Sequence, residues 1–176
     1  MPASYEREGK LFPCPCYPEE FDGREYYNYL RSKGVVKTSL IPAGQMEDAF
    51  RPVLAEGKDV LYITLSSGIS GTVAAGFQAA QTLAEEFPER QVRVLDSMGA
   101  GFGIGLLLGR ASDYQKAGLS LAETCTLVEQ DRDNLCEFFT VDDLMFLRRT
   151  GRLSGVTATL GTMLQLKPML RGDESG

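Results

Sequence analysis

Histidine and tryptophan are absent from the 176 residues. Without histidine there is no Ser-His-Asp or Cys-His triad, no imidazole general base and no His-containing metal site. An enzyme built on this chain would have to run on carboxylates, Lys, Tyr, Cys or a bound cofactor. Basic charge is also scarce: 18 Lys and Arg stand against 24 Asp and Glu, a net charge of −6. That balance excludes the basic face that nucleic acid requires and the polybasic patch of a membrane-surface protein. Long apolar runs are missing too. The longest, Ala100 to Leu108, is short and broken by glycines, so no membrane insertion is expected. The opening residues Met1 to Lys10 contain no apolar stretch of a signal peptide. With four cysteines and no export signal, the expected compartment is the reducing cytoplasm.

What is present is an ordinary globular composition, 43% hydrophobic and 24% charged, with a packed core expected. The apolar, β-branched run Val60 to Leu65 reads as a short buried strand. Ser66, Ser67, Gly68, Ser70 and Gly71 then make a turn, and an alanine-rich helix starts near Thr72. Residues 91–97 form a second strand, followed by the glycine-rich stretch Gly99 to Gly105 and a further helix. Strand, helix, strand, helix is the pattern of a parallel sheet. Before it, Met46, Ala49, Phe50, Val53 and Leu54 recur at helical spacing, with Gly57 as a stop. Thr38-Ser39-Leu40-Ile41-Pro42 reads as a compact turn leading into that helix.

The first segment is aromatic and irregular, with a short helix expected over 21–30. Ser120 and Glu123 make a capping box for a later helix. Beyond Asn134, a strand is expected over 137–141, a helix after Asp142-Asp143, another over 156–164, and a strand-like run over 167–171. Residues 172–176 have the composition of a hairpin turn without a return strand, so the chain is expected to stop inside a second domain. The expected division is an irregular segment 1–34, an α/β domain 35–118 and a partial second domain 119–176.

A strand, a hydroxyl-rich turn and a helix start suit a small negative group, because N–H groups and hydroxyls meet the positive end of the helix dipole. Ser66, Ser67, Ser70 and Thr72 favour a monoanionic head group over a polyphosphate, and no lysine closes a Walker loop. The alternative is plain Ser/Gly turn chemistry with Thr72 at a helix start. The glycines at 99–105 do not complete a dinucleotide fingerprint, since Leu106 and Leu108 stand where the last glycine belongs. A small-residue face for close helix packing, or room for an elongated apolar ligand, is the preferred reading. Cys14-Pro15-Cys16 is taken as two small residues in a turn, and Asp142-Asp143 as residues complementing a helix dipole. Arg148, Arg149 and Arg152 around Thr150-Gly151 tilt towards anion or partner binding.

Four blocks in order resemble the DegV family of bacterial fatty-acid-binding proteins. They are Lys37-Thr38-Ser39; Ser66-Ser67-Gly68-Ile69-Ser70-Gly71-Thr72; Val94-Leu95-Asp96-Ser97 with its glycine-rich sequel; and the run from Thr140 to Ser154 followed by Leu166-Lys167-Pro168. The resemblance implies a Rossmann-like parallel sheet flanked by helices, part of a second α/β domain, and an acyl chain between the two. It implies a long-chain fatty acid such as palmitate as ligand, with no cofactor, no metal and no catalysis. A fatty acid kinase would be the partner to which the bound acid is presented. The carboxylate-binding roles map to Thr38 and to one of Ser66, Ser67 or Ser70, within a site that also includes Ser39, Gly71 and Thr72. Arg152 would support the head group or touch the partner. Ile69, Phe77, Phe102, Ile104, Leu107 and Leu160 would line the tail site.

The family's opening strand, ending in an Asp-Ser-x-x-Asp-Leu-like motif, has no match, and the family's second domain continues past Gly176. A truncated member is therefore expected, with an acyl site left partly open at about 0.8 kcal/mol per unburied CH₂. Two other classes remain: a small-molecule enzyme for a phosphorylated or carboxylated metabolite, and a fragment that no longer binds lipid.

Overall fold

The structure, a computed structural model, describes residues 3–152, 167 and 169–171. Strands β1 (Ser4–Arg7) and β2 (Lys10–Pro13) form an antiparallel hairpin. Its two-residue loop, Glu8 and Gly9, has φ of 53° and 74°, the left-handed pair that lets flanking strands keep their twist. The opening segment is therefore not irregular as expected. Helix α1 (Gly23–Arg31) follows, its N-terminus capped by Asp22, which accepts from the Glu25 amide at 2.9 Å. Tyr5 stacks on Phe12 at 5.4 Å and meets Tyr26 edge-on at 5.9 Å. The Arg7 guanidinium lies 3.9 Å from the centre of the Tyr29 ring and pairs with Glu25 at 2.7 Å. Aromatic contacts thus join hairpin and helix.

Residues 36–39 correct a second expectation. They form strand β3 (Val36–Ser39), antiparallel to β1 with Thr38 opposite Tyr5, and residues 40–42 run on to the next helix without a turn, so the turn-like reading is corrected. Alternating Val36 and Thr38 suit a strand once β1 supplies its hydrogen bonds. The sheet order β2-β1-β3 also ties residues on both sides of the expected boundary after residue 34.

Helix α2 (Ala43–Ala55) leads to β4 (Val60–Thr64), α3 (Thr72–Glu86), β5 (Val92–Asp96) and α4 (Gly101–Lys116). Strands β4 and β5 pair in parallel, Val60 opposite Val92 and Thr64 opposite Asp96, with α3 as the crossover. Alternation along β4 divides the apolar core between two faces. Val60 and Tyr62 pack towards Met46, Phe50, Leu54, Ala79 and Leu83 of α2 and α3. On the other face Ile63 and Leu95 meet Leu107 of α4, with Leu61 packed beside them. Helix α2 runs through Pro52, which removes one ladder hydrogen bond, because the next turn buries Leu54.

Helix α5 (Leu121–Asp133) packs on α4, and its Val128 completes the second cluster. It lies beyond the expected boundary after residue 118, yet covers the same parallel pair. The expected capping box is present: Ser120 accepts from the Glu123 amide at 3.3 Å, and the Glu123 carboxylate accepts from the Ser120 amide at 2.8 Å. Ser120→Ala is expected to cost about 0.5–2 kcal/mol of stability, read as a lower urea midpoint at constant slope.

The expected strand over 137–141 is not formed. Among the described residues its pairing is one antiparallel bridge, Phe139 with Leu170. A single bridge fixes two residues and no ladder. Helix α6 (Leu144–Arg149) follows Asp142-Asp143 as expected. The readings of a helix over 156–164 and a turn over 172–176 lie outside the described residues. No helix among the described residues is long and apolar enough to cross a membrane.

Candidate functional site

The turns after β4 and β5 lie side by side at the carboxyl ends of the parallel strands, where open α/β sheets place their ligands. They are laced together. The Ser97 amide donates to the Thr64 carbonyl at 3.3 Å, and the Ser66 amide donates to the Gly99 carbonyl at 3.0 Å. Asp96 accepts from the Ser67 amide at 3.2 Å and from the Met98 amide at 2.9 Å. Within the first turn, the Ser66 hydroxyl accepts from the Gly68 amide at 3.2 Å, and the Ser66 carbonyl accepts from the amides of Ile69 and Ser70 at 3.2 and 3.1 Å. Every amide from Ser66 to Ser70 therefore has a partner inside the protein. The expectation that these amides converge on a ligand is corrected: the turn spends them on its own shape.

What the turn offers outward is the start of α3. Its N-cap residue, Gly71, has no side chain to cap it, and the first amides of a helix have no partner within it. Ser70 and Thr72 flank the start with hydroxyl oxygens 2.8 Å apart, and Ser70 also accepts from the Thr72 amide at 3.3 Å. One hydroxyl proton is used between the two oxygens, and the other is left to donate. Ser67 is exposed, Ser70 half-buried, and Ser66 and Thr72 buried.

Thr38 and Ser39 are exposed at the end of β3. The next residue brings that end to the turn: a Cβ on Gly71 would stand 3.1 Å from the Leu40 Cδ2. Arg152 arrives from the far side of the sequence. Its Nε donates to the Ile69 carbonyl at 3.4 Å and its Nη1 to the Thr150 carbonyl at 2.6 Å. The side chains of Arg148 and Arg149, and all of Leu160, lie outside the described residues. The tail-site residues divide. Phe102 is 94% exposed and Phe77 57% exposed, whereas Leu107 is 1% exposed in the core and Ile104 packs against it. Leu107 therefore does not line a tail site; it faces the sheet at the position the helical period assigns to the core. Leu40, Met98 and Phe138 add further exposed apolar surface near the two turns.

Glu137 escaped notice in the sequence. Its carboxylate accepts from the amides of Ala100 and Gly103, both at 2.9 Å, at the start of α4. A Cβ on Gly99 or Gly103 would overlap that carboxylate, which explains the small residues there. The signal was the glycine spacing; the residue it accommodates lies 34 positions on. Asp142, two residues before α6, has a further partner. It pairs with Lys167, whose hydrogen bond and charge hold the Asp142 carboxyl below its ordinary range.

A family model described as DegV, an uncharacterised protein family, matches residues 17–176. A DegV domain-containing protein of Clostridium perfringens is 34% identical over 157 residues, which cover 89% of this chain and 54% of the relative. The structure of a DegV family protein from Thermus thermophilus, described by its fatty acid binding, is similar at a TM-score of 0.80 and 32% identity, covering 99% of this chain and 60% of that one. The Streptococcus pneumoniae fatty acid kinase B3 protein, loaded with linoleic acid, is similar in fold at a TM-score of 0.83 and 20% identity, covering 99% and 60%. The chain thus spans about half the length of the curated relatives it matches. Since the family match runs from residue 17 to the last residue, the chain belongs to the DegV family.

Proposed function

We propose that the chain is a non-catalytic carrier of long-chain fatty acids in the cytoplasm, holding the carboxylate at the start of α3 and the acyl chain along the exposed apolar rim. The observation that carries this reading is the paired hydroxyls of Ser70 and Thr72 at a helix start whose N-cap residue is glycine, with Arg152 across the same turn. A carboxylate there receives hydroxyl and helix amide donors at the positive end of the helix dipole. Ser66 and Gly71 shape the turn, while Ser67, Thr38 and Ser39 stand exposed around it. Phe77 and Phe102 hold exposed apolar rings that an acyl chain along this rim would cover. The binding of fatty acids by the Thermus relative supports the same ligand here. The name of the pneumococcal neighbour supports presentation of the bound acid to a fatty acid kinase.

Native mass spectrometry of the purified protein, followed by organic extraction, tests the reading. The expected result is one fatty acid per chain. A folded protein that is empty and ignores added palmitate would remove the proposed function and leave the fold untouched.

A further inference from the structure

The turn into helix α4 passes through the left-handed region, with φ of 51° at Met98 and 46° at Gly101, and the helix's N-cap Ala100 has no capping hydroxyl of its own. Its acceptor comes from elsewhere. The Glu137 carboxylate takes one N–H from Ala100 through Oε2 and one from Gly103 through Oε1. Gly103 also donates to the Ala100 carbonyl at 3.0 Å, so Ala100 is the amide that depends on Glu137 alone. The Gly99 carbonyl, in the same loop, accepts from the Ser66 amide and from the Ser97 hydroxyl. The carboxylate is thus one step from the turn that precedes α3.

Glu137 also lies just past the last residue that packs on the second core cluster. Leu135, two residues earlier, packs on the cluster of Ile63, Leu95, Leu107 and Val128. Beyond Glu137, Phe138, Phe139 and Thr140 are exposed, and the path continues through α6 to Arg152 over the Ile69 carbonyl. We infer that Glu137 is a positioning residue: clasped by the Ala100 and Gly103 amides, it fixes the start of the segment that leads to α6 and so sets Arg152 over the turn where the head group binds. The glycines at 99 and 103 are the socket for that clasp. The consequence for ligand release rests on the fatty-acid reading above; the clasp itself does not.

The test is a cycle of Glu137→Ala, Gly103→Ala and the double variant. Alanine for glycine inside a helix ordinarily stabilises. Here the added Cβ evicts the carboxylate, so Gly103→Ala should lower the thermal midpoint in the parent and raise it once Glu137 is alanine. Amide exchange at Ala100 should accelerate in each variant. Palmitate release in stopped flow should quicken about tenfold, with association unchanged and the double variant no faster than either single one. Should Glu137→Ala not fold, Glu137→Ser, whose short side chain also empties the socket, takes its place in the cycle. A Gly103→Ala substitution that raises the midpoint equally in both backgrounds overturns the clasp. Unchanged release from variants whose Ala100 amide has become labile overturns the positioning role. If the parent itself takes up no palmitate, the fatty-acid reading falls, and the thermal cycle decides the clasp by itself.

Discussion

Leu83→Ala is expected to destabilise the protein by about 2–5 kcal/mol, out of the 5–15 kcal/mol usual for a whole domain. Leu83 is fully buried on α3, in one cluster with Met46, Phe50, Leu54 and Ala79. The loss has two parts, the transfer of the removed methyl groups and the cavity left in a close-packed layer. Neither α2 nor α3 can slide in to fill the gap, because α3 is seated on β4 and β5 while α2 is held between α3 and β4. The effect should reach the site, since α3 presents Ser70 and Thr72 at its start while Leu83 anchors its other end. Urea unfolding followed by circular dichroism gives the number. Leu106→Ala provides the contrast: Leu106 is 61% exposed on α4, and its loss should stay within about 0.5 kcal/mol. Similar costs for both would mean that the α2–α3 layer is not the core.

The parallel half of the fold was legible because its signals are local and agree with one another. Val60 to Thr64 is β-branched and apolar, a glycine- and serine-rich turn follows, and the helical period of Val73, Leu83 and Phe87 begins directly after it. The capping box at Ser120 and Glu123 is local in the same sense. The N-terminal sheet was not legible. Glu8-Gly9 is a weak hairpin signal beside Asn-Gly or Asp-Gly, and the strands it joins are four residues each. Val36 to Ser39 becomes a strand only because β1 lies beside it, a pairing made across more than thirty residues. The opposite error at 137–141 has the same origin. Phe138, Phe139 and Val141 have strand propensity, but among the described residues the segment's pairing is the single bridge of Phe139 with Leu170.

For the site, residue types were readable and their roles were not. Serines, glycine and threonine in a turn announce hydroxyl chemistry, whichever of them faces a ligand. The division depends on Asp96, which draws the Ser67 amide inward, and on the Ser66 oxygens, which close the turn on itself. Both are contacts of the folded chain. The glycines at 99 and 103 gave the clearest sign of a close approach, but a sequence cannot name the visitor. Glu137, from beyond α5, is that visitor.

Removal of the Ser70 hydroxyl should weaken palmitate binding about 10- to 150-fold, the equivalent of one charge-assisted hydrogen bond of about 1.5–3 kcal/mol. Of the two paired hydroxyls Ser70 is half-buried and Thr72 is 7% exposed, so Ser70 is the one that reaches the rim. Where Thr72 donates across the 2.8 Å contact, the Ser70 proton is left for a carboxylate oxygen at the rim. Ser70→Ala deletes the outward donor. Thr72→Val keeps the volume and removes only the hydrogen bond behind it, so its loss should be the smaller of the two. Hexadecanol separates head-group recognition from damage to the apolar rim, because it offers the same tail without a charge. Ser70→Ala should cost palmitate far more affinity than it costs hexadecanol, measured by titration calorimetry or displacement of a fluorescent fatty acid. An equal loss for both ligands would move the carboxylate away from the start of α3. The exposed Thr38 hydroxyl at the end of β3 would then be the next donor to remove.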